Sequence, residues 1–317
     1  MLKNSFIIFN HSLTVLEKFT MEDKTMYDVI IIGKGPAGIS ASLYTIRSNL
    51  KTLIIGMNES ALVKTEKIEN YYGFSEPISG QYLLKQGVEQ AIRLGGEIIE
   101  DEVIEIKKNE TFVVTTTKGQ FSAKAVLMAT GQKQKKINIR NLKEFEGNGV
   151  SYCSTCDGFF YNDLKVGVLG YKDYAVHEAV ELLAYTKDIT IFTNGFSPEF
   201  SKEFQDEAKK FNINKKPVKG LEGKEYLQKI VFDDGTHESI DGLFVAYESA
   251  SSIDFARKLG VLTQDGSILV NSDMQTNIDG LFAAGDCTGG FKQIATAVGQ
   301  GALAGRRIIE FVRNDAS

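Results

Sequence analysis

The chain has 317 residues, which is enough for about two domains of ordinary size. Hydrophobic residues make up 43% and charged residues 24%, which is the balance of an ordinary globular protein. A net charge of −5 argues against a nucleic-acid binder, and no apolar run approaches the roughly 20 residues of a membrane helix.

Residues 1–25 precede the first convincing strand and are interpreted as a poorly ordered N-terminal extension. They include an apolar patch but no small-residue cleavage site, so a signal peptide is not predicted. A start codon downstream of Met1, at Met21 or Met26, and an N-terminal helix that packs on the body are the alternatives.

Residues 27–41, YDVIIIGKGPAGISA, contain the first nucleotide-binding motif. An apolar strand at 29–32 leads through Gly33, Gly35 and Gly38 into a helix, which is the context in which GxGxxG marks a dinucleotide site. The first glycine makes the turn, and the second lets the backbone approach a pyrophosphate. The third lets helix and strand pack closely, and the helix N-terminus offers its N–H groups to the phosphates.

A second strand at 51–55 ends this unit, and a carboxylate near its end is expected to hold a ribose hydroxyl. Glu59 is the candidate, although it comes slightly late. Further along, residues 111–117 and 121–127 predict two strands joined at Lys118-Gly119, and the second leads into the ATG of LMATGQ.

The C-terminal part of the chain adds to the same site. In GLFAAGDCTGG, Asp286 follows a strand and a glycine, where it can accept hydrogen bonds from a sugar-like chain. Residues 292–305 then open a helix with small side chains, suited to close approach of a cofactor. The site is therefore built from both ends of the chain, and the middle is an insertion with a strand-turn-helix unit of its own.

The inserted unit begins like a nucleotide site, because an apolar strand at 166–169 runs into Gly170. A helix is predicted from Ala175. Between them, Tyr171 and Lys172 stand where glycines should let a pyrophosphate approach the backbone.

A cysteine pair opens the insertion. Cys153 and Cys156 can close a small disulfide ring, and thiols at this spacing ionise near neutrality in comparable motifs. Asp157 follows directly, where it can move the proton that exchange requires. A structural zinc would need four ligands, and only Cys287 and three scattered histidines remain, so no metal site is predicted. Cys287 is interpreted as a small buried residue beside the cofactor, and the low cysteine count favours a cytoplasmic protein over a secreted one.

The order of these motifs resembles that of the low-molecular-weight thioredoxin reductases over residues 26–314. CSTCDGFFY matches the redox box of that family. IENYYGF (68–74) resembles its flavin-side VENYPG segment, with Tyr72 in place of the proline. KQIATAVGQGALA (292–304) resembles its RQ-containing segment, with lysine for arginine.

The resemblance implies an α/β fold of two Rossmann-like, three-layer nucleotide-binding domains, the second inserted in the first. Residues 26–138 and 249–317 would form the FAD-binding domain, and 139–248 a degenerate NADPH-like domain that carries the redox box. A homodimer is implied as well. The residues predicted to bind FAD are Gly33, Gly35, Pro36, Ala37, Gly38, Glu59, Asn70, Thr130, Gly131, Asp286, Lys292, Gln293, Ile294 and Ala295.

The resemblance also implies roles for the redox box. Cys156 would exchange electrons with the flavin, Cys153 would attack the disulfide of a protein substrate, and Asp157 would act as acid or base. The inserted domain would have to rotate, since one disulfide cannot touch a flavin and a protein partner together.

The chain departs from NADPH-dependent members of the family in three stretches of the insertion. GYKDYA (170–175) replaces a GGGDSA-like turn. DITIFTNGFSPEF (188–200) replaces an arginine-rich segment and contains no basic residue, so a 2′-phosphate would lose its charge-assisted bonds. VAYES (245–249) replaces VAIG and adds the carboxylate of Glu248. Together these changes predict poor binding of NADPH.

The sequence looks like a subgroup that takes electrons from reduced ferredoxin. The predicted function is therefore a flavoprotein disulfide reductase that passes electrons from ferredoxin through FAD and the Cys153–Cys156 disulfide to thioredoxin. The alternatives are an NADPH-dependent reductase with an unusual pocket, a reductase for another disulfide protein, and a non-catalytic FAD-binding redox sensor. A docking site for an acidic ferredoxin is suggested by four basic residues, Lys133, Lys135, Lys136 and Arg140. The alternative is that they belong to a solvated surface loop.

Overall fold

The structure, a computed structural model, describes residues 26–58, 60–131 and 137–314. The predictions for residues 1–25, for Glu59 and for the three lysines of the docking hypothesis lie outside these ranges. The described chain divides into two compact units. We call the one made of the residues before 137 and after 249 the outer unit, and the one that spans Ile137–Ser249 the inserted unit. None of the described helices is both long and apolar enough to cross a membrane.

The described residues of the outer unit form a large sheet with helices packed against it and a separate small sheet of two strands. Its strands are β1 (Met26–Ile32), β2 (Thr52–Ile55), β3 (Glu97–Ile99), β4 (Val103–Lys108), β5 (Phe112–Thr116), β6 (Gln120–Met128), β15 (Thr263–Gln264), β16 (Ser267–Ile268) and β17 (Leu281–Ala283), of which β15 and β16 form the small sheet. Its helices are α1 (Pro36–Arg47), α2 (Gly80–Arg93), α6 (Ser252–Lys258) and α7 (Ile294–Asn314), with 3₁₀ turns at Ala61–Lys64 and Asp286–Thr288.

The topology of the outer unit is that of a dinucleotide-binding domain. Strands β3, β2, β1, β6 and β17 run parallel, and β6 continues into an antiparallel meander with β5 and β4. The central strands β1 and β2 read as nearly continuous apolar runs, and most of their residues are buried, as is usual in a parallel sheet. Helix α7 packs along α1, and its Gly301 and Gly305 approach the backbone of α1 so closely that a Cβ at either position would overlap Ala37 or Ala41.

The inserted unit repeats this layout. Its strands are β7 (Val150–Ser151), β8 (Val166–Leu169), β9 (Ile189–Phe192), β10 (Asn212–Asn214), β11 (Val218–Gly223), β12 (Leu227–Phe232), β13 (His237–Ser239) and β14 (Gly242–Val245). Its helices are α3 (Ser154–Asp157), α4 (Asp173–Leu182) and α5 (Lys202–Ala208), with a 3₁₀ turn at Gly158–Tyr161. The parallel sheet has the order β10-β9-β8-β14-β7, and β11, β12 and β13 form a separate antiparallel sheet.

The predicted fold class, α/β with Rossmann-like units, is confirmed. One local expectation is wrong. Helix α4 begins at Asp173, two residues before the predicted Ala175, because Lys172 is the extended N-cap and Asp173 puts a carboxylate in the first turn, where the helix dipole favours it. In α7, Gly301 and Gly305 pack on α1, whereas a Cβ at Gly299 would meet no described atom within 4 Å, so approach of a cofactor to this segment stays a prediction.

Candidate functional site

The glycine turn of the outer unit forms a cradle whose glycines have different roles. Gly33 has φ +115°, and a Cβ there would overlap the carbonyl of Ala129, so the turn requires glycine. A Cβ at Gly38 would overlap the carbonyl of Gly33, which fixes the close packing of α1 on β1. Gly35 differs from both, because a Cβ there would meet no described atom within 4 Å. The open space beside Gly35 is what close approach of a phosphate needs.

The N-terminus of α1 faces this opening with its polar groups available. Gly35 is the N-cap, Pro36 is at the first helical position, and no described side chain caps the helix. No acidic residue lies in its first turn. The free N–H groups and the positive end of the helix dipole therefore suit an anionic ligand, and the cradle fits the pyrophosphate of FAD.

The structure brings together residues from distant parts of the outer unit. The amide of Asn70 donates to Oε1 of Gln293 at 3.0 Å, which links the IENYYGF segment to the residue just before α7. Lys292 and Ala295 are exposed and Ile294 is half-buried at the first position of α7, so the start of this helix presents both backbone and side chains to solvent.

Asp286 is half-buried in a 3₁₀ turn. Its neighbour Gly285 has φ +86° and donates its N–H to Oε1 of Gln300 at 2.8 Å, so the turn is tied to α7. Gln300 was not predicted as a site residue. The available signal was that it is a polar residue within a segment of small residues.

The segment after β6 is fixed by a contact that the sequence did not indicate. Thr130 and Ser252 share a hydrogen bond of 2.5 Å between their hydroxyls, and Ser252 is buried at the start of α6. Gly131 follows with φ +71°. Cys287 lies in the same region, and its thiol donates to the carbonyls of Met128 and Ala284. Burial raises the pKa of Cys287 to about 12, so this thiol stays protonated and unreactive.

The redox box of the inserted unit contains a disulfide between Cys153 and Cys156, with 5.3 Å between the Cα atoms. Cys153 is the N-cap of α3, and its Sγ accepts the N–H of Cys156 at 3.1 Å. Cys153 is only 3% exposed, whereas Cys156 is exposed. The thiol that the resemblance assigns to attack on a partner is therefore the buried one, so such an attack requires the turn to open.

The carboxylate of Asp157 is held by a residue that the motif does not include. The hydroxyl of Ser151 donates to Oδ2 of Asp157 at 2.6 Å and accepts the N–H of Cys153 at 3.1 Å. Burial raises the pKa of Tyr161, and the negative charge of Asp157 adds to the effect. The backbone N–H of Ser154 donates to Oε2 of Glu178, a buried residue of α4, at 3.3 Å.

Aromatic side chains fill the turn between β8 and α4, which we call the mouth of the second nucleotide-like site. Tyr171 is 6% exposed and stacks on Phe196, with ring centroids 4.5 Å apart and an interplanar angle of 12°. Tyr247 packs edge-on against both rings. The phenol of Tyr171 donates to Oε1 of Glu248 at 2.9 Å. Sequence reasoning identified Tyr171 and Glu248 but missed Phe196 and Tyr247, although both lie in stretches that depart from the family pattern.

Two charged residues of this mouth, Lys172 and Asp173, have partners as well. Lys172 forms an ion pair with Glu199 at 3.6 Å, so its charge is partly neutralised. Asp173, buried in the first turn of α4, accepts the N–H of Ser201 at 2.7 Å. At the N-terminus of α4, a carboxylate and a tyrosine ring thus lie where α1 has glycine and open space.

Comparisons with known proteins agree with this geometry. A family model described as pyridine nucleotide-disulphide oxidoreductase matches residues 27–301. The chain is 34% identical over 306 residues to a thioredoxin reductase of Bacillus subtilis (strain 168), which covers 92% of this chain and 96% of the relative. The crystal structure of the atypical thioredoxin reductase TRi from Desulfovibrio vulgaris Hildenborough is similar, with 40% identity, a TM-score of 0.88, and coverage of 91% of this chain and 99% of that chain. A ferredoxin-flavin thioredoxin reductase from Clostridium acetobutylicum has 30% identity and a TM-score of 0.67, over 91% of this chain and 99% of that chain. The chain belongs to the pyridine nucleotide-disulphide oxidoreductase family, in its low-molecular-weight thioredoxin reductase branch.

Proposed function

We propose that the protein is an FAD-dependent disulfide reductase that passes electrons from reduced ferredoxin to thioredoxin through the Cys153–Cys156 disulfide. The observation that carries the choice of donor is the filled mouth of the inserted unit, where Tyr171 stands at a position expected to be glycine and stacks on Phe196. A dinucleotide could bind there only if this stack and the Tyr171–Glu248 hydrogen bond were broken. The carboxylate of Glu248 would also repel the phosphates.

The cradle at Gly33, Gly35 and Gly38 would hold the pyrophosphate of FAD, and Asp286 would accept hydrogen bonds from its sugar-like chain. Asn70, Thr130, Gly131 and the start of α7 would complete the site. FAD, when bound, can take single electrons from an iron–sulfur donor and pass a pair of electrons to a disulfide. The similarity to a ferredoxin-flavin thioredoxin reductase supports this choice of donor.

The energetics favour the proposed direction. Reduction potentials lie at about −400 mV for ferredoxins and about −270 mV for thioredoxin. The drop of about 130 mV corresponds to about 6 kcal/mol for two electrons. A ferredoxin can therefore drive the reduction of thioredoxin without a nicotinamide.

In the proposed exchange, Asp157 takes the proton of the Cys153 thiol, and the thiolate attacks one sulfur of the partner disulfide. An S–S bond forms between Cys153 and the partner, the partner's S–S bond breaks, and the leaving sulfur takes the proton back from Asp157. The thiolate of Cys156 then attacks the sulfur of Cys153. This step re-forms the Cys153–Cys156 disulfide and releases the second partner thiol, which takes up the proton that Cys156 lost.

The test is an anaerobic absorbance titration of the purified yellow protein, with excess NADPH added first and reduced ferredoxin second. We expect NADPH to leave the flavin absorbance unchanged, ferredoxin to bleach it, and oxidised thioredoxin to restore it. In the matched variant Cys156→Ser, ferredoxin should still bleach the flavin but thioredoxin should no longer restore the colour. Rapid bleaching by NADPH would show that the donor is a nicotinamide and that the mouth opens.

A homodimer, which the family resemblance implies, is part of the proposal. Light scattering of the purified protein tests it directly, since a particle of one chain's mass would contradict it.

A further inference from the structure

Ser151 is buried at the end of β7, directly before the redox box, with 5% of its surface exposed. Its hydroxyl has three neighbours that can share a hydrogen bond. They are the Asp157 carboxylate at 2.6 Å, the Cys153 N–H at 3.1 Å and the Cys153 carbonyl at 3.4 Å. A serine hydroxyl donates one hydrogen bond and accepts up to two. It can therefore accept from the Cys153 N–H throughout, while its own hydrogen turns toward one of the two acceptors.

The direction of that hydrogen depends on the charge of Asp157. When Asp157 is ionised, its oxygen is the shorter and stronger acceptor, since bonds to charged groups are the stronger ones. When Asp157 is protonated, its own O–H can donate to Ser151, and the serine hydrogen can turn to the carbonyl of Cys153. The same hydroxyl thus touches the proposed acid–base group and both peptide groups of the proposed nucleophile.

We propose that Ser151 is a positioning residue that couples the protonation state of Asp157 to the backbone of Cys153 during thiol–disulfide exchange. It touches neither the substrate nor the cofactor and acts through these two residues. This inference rests on the proposed function, because it assumes that Cys153 and Asp157 perform the exchange.

Other titratable groups surround the turn and enter the pH dependence of any variant. Tyr161 lies on the following 3₁₀ turn, close enough for the charge of Asp157 to raise its pKa in addition to burial. The titratable residues of α4, which packs on α3, are Asp173, Tyr174, His177, Glu178 and Glu181. Since these groups are unchanged in a Ser151 variant, they contribute equally to the profiles that are compared.

The chain offers a matched control within the same turn. Ser154 is as deeply buried as Ser151, but its hydroxyl has no hydrogen-bond partner among the described residues. Removing the hydroxyl of Ser154 therefore changes composition and volume as Ser151→Ala does, without removing a link to Asp157.

The experiment uses the FAD-loaded protein, reduced anaerobically with dithiothreitol and desalted. The rate of exchange is measured by stopped flow from acidic to weakly basic pH, with oxidised thioredoxin and, separately, with the small disulfide 5,5′-dithiobis(2-nitrobenzoate). The variants are Ser151→Ala, Ser154→Ala and the isosteric pair Ser151→Thr and Ser151→Val. Threonine carries a hydroxyl where valine carries a methyl group. Comparing these two variants therefore tests the role of the Ser151 hydroxyl even if Ser151→Ala does not fold.

We expect the acidic limb of the profile to move to higher pH by about one unit in Ser151→Ala and Ser151→Val, because the ionised carboxylate loses a hydrogen bond. At a pH on that limb, the exchange rate should fall about tenfold. Ser151→Thr should restore the wild-type limb, and Ser154→Ala should match the wild type. In Asp157→Asn only the pH dependence of the thiols themselves should remain, and adding Ser151→Ala should then change nothing.

The inference is overturned if Ser151→Val and Ser151→Thr give superimposable profiles, or if Ser154→Ala shifts the limb as much as Ser151→Ala. Failure of the proposed function looks different. If the wild type exchanges with the small disulfide but not with thioredoxin, the partner is wrong. The Ser151-dependent limb seen with the small disulfide would then still support the inference.

Discussion

The contrast between Gly33 and Gly35 gives a sharp prediction about cofactor binding. Gly35 has φ −80° and ψ −176°, a conformation open to any residue, and its Cβ would meet no described atom within 4 Å. Gly35→Ala should therefore fold normally. It should gain about 0.4–1 kcal/mol from the lower entropy of the unfolded chain.

The same methyl group should weaken FAD binding, because it would occupy the space through which a phosphate reaches the N–H groups of α1. Loss of one hydrogen bond to a charged phosphate costs about 1.5–3 kcal/mol. That corresponds to roughly a ten- to hundredfold increase in the Kd of FAD.

Gly33→Ala is the matched variant, because it adds the same methyl group two residues away. Its φ of +115° and the overlap with the carbonyl of Ala129 predict a loss of folding stability, of about 1–3 kcal/mol from the backbone conformation alone. The assays are thermal unfolding of the FAD-free protein and fluorescence titration with FAD. If Gly35→Ala binds FAD as tightly as the wild type, the cradle does not hold the pyrophosphate. If it instead loses stability as Gly33→Ala does, the space beside Gly35 is not open.

Three further predictions concern single side chains. Tyr171→Phe should lower the free energy of unfolding by about 1–2 kcal/mol, because Glu248 loses a hydrogen bond in a partly buried site. Thermal unfolding measures this change, and an unchanged midpoint would contradict the role of the bond. After reduction, the folded protein should show two reactive thiols and a third only in denaturant, since burial raises the pKa of Cys287 to about 12; three reactive thiols in the folded state would contradict this. In the reduced folded protein, iodoacetamide should modify Cys156 before Cys153, because only Cys156 is exposed; peptide mass spectrometry measures the order, and equal rates would mean that the turn opens freely.

The parts of the fold that the sequence predicts are those specified by local chemistry. Apolar runs such as Val29–Ile32 followed by a glycine turn have few structural solutions, so the Rossmann-like units were predictable. The packing of Gly301 and Gly305 on α1 was not predicted, because a small residue that packs on a helix and one that faces a ligand look the same in the sequence. Ser151 was missed for a related reason, since its two hydrogen bonds form only when β7 and α3 are in place.

Two of the four residues that fill the mouth could be predicted from the sequence. Tyr171 and Glu248 stand out because each replaces a glycine of a known motif. Phe196 and Tyr247 lie in stretches that also depart from the family pattern, but their contacts with Tyr171 form only because β8, β9 and β14 lie side by side in one parallel sheet. Convergence at the carboxyl ends of strands is a property of the sheet and not of any one segment.

The way in which the second site is filled supports the proposed ferredoxin donor. A site that had lost only its basic groups would keep glycines and open space at the turn, as the cradle at Gly35 does. Here the rings of Tyr171, Phe196 and Tyr247 occupy that space and pack against one another, and such pairs contribute about 0.5–1.5 kcal/mol each beyond their burial. The inserted unit is therefore stabilised at this turn by contacts between its own side chains. Restoring glycine at Tyr171 alone would remove those contacts without supplying a basic partner for a 2′-phosphate, so we expect that variant to lose stability and still not accept electrons from NADPH.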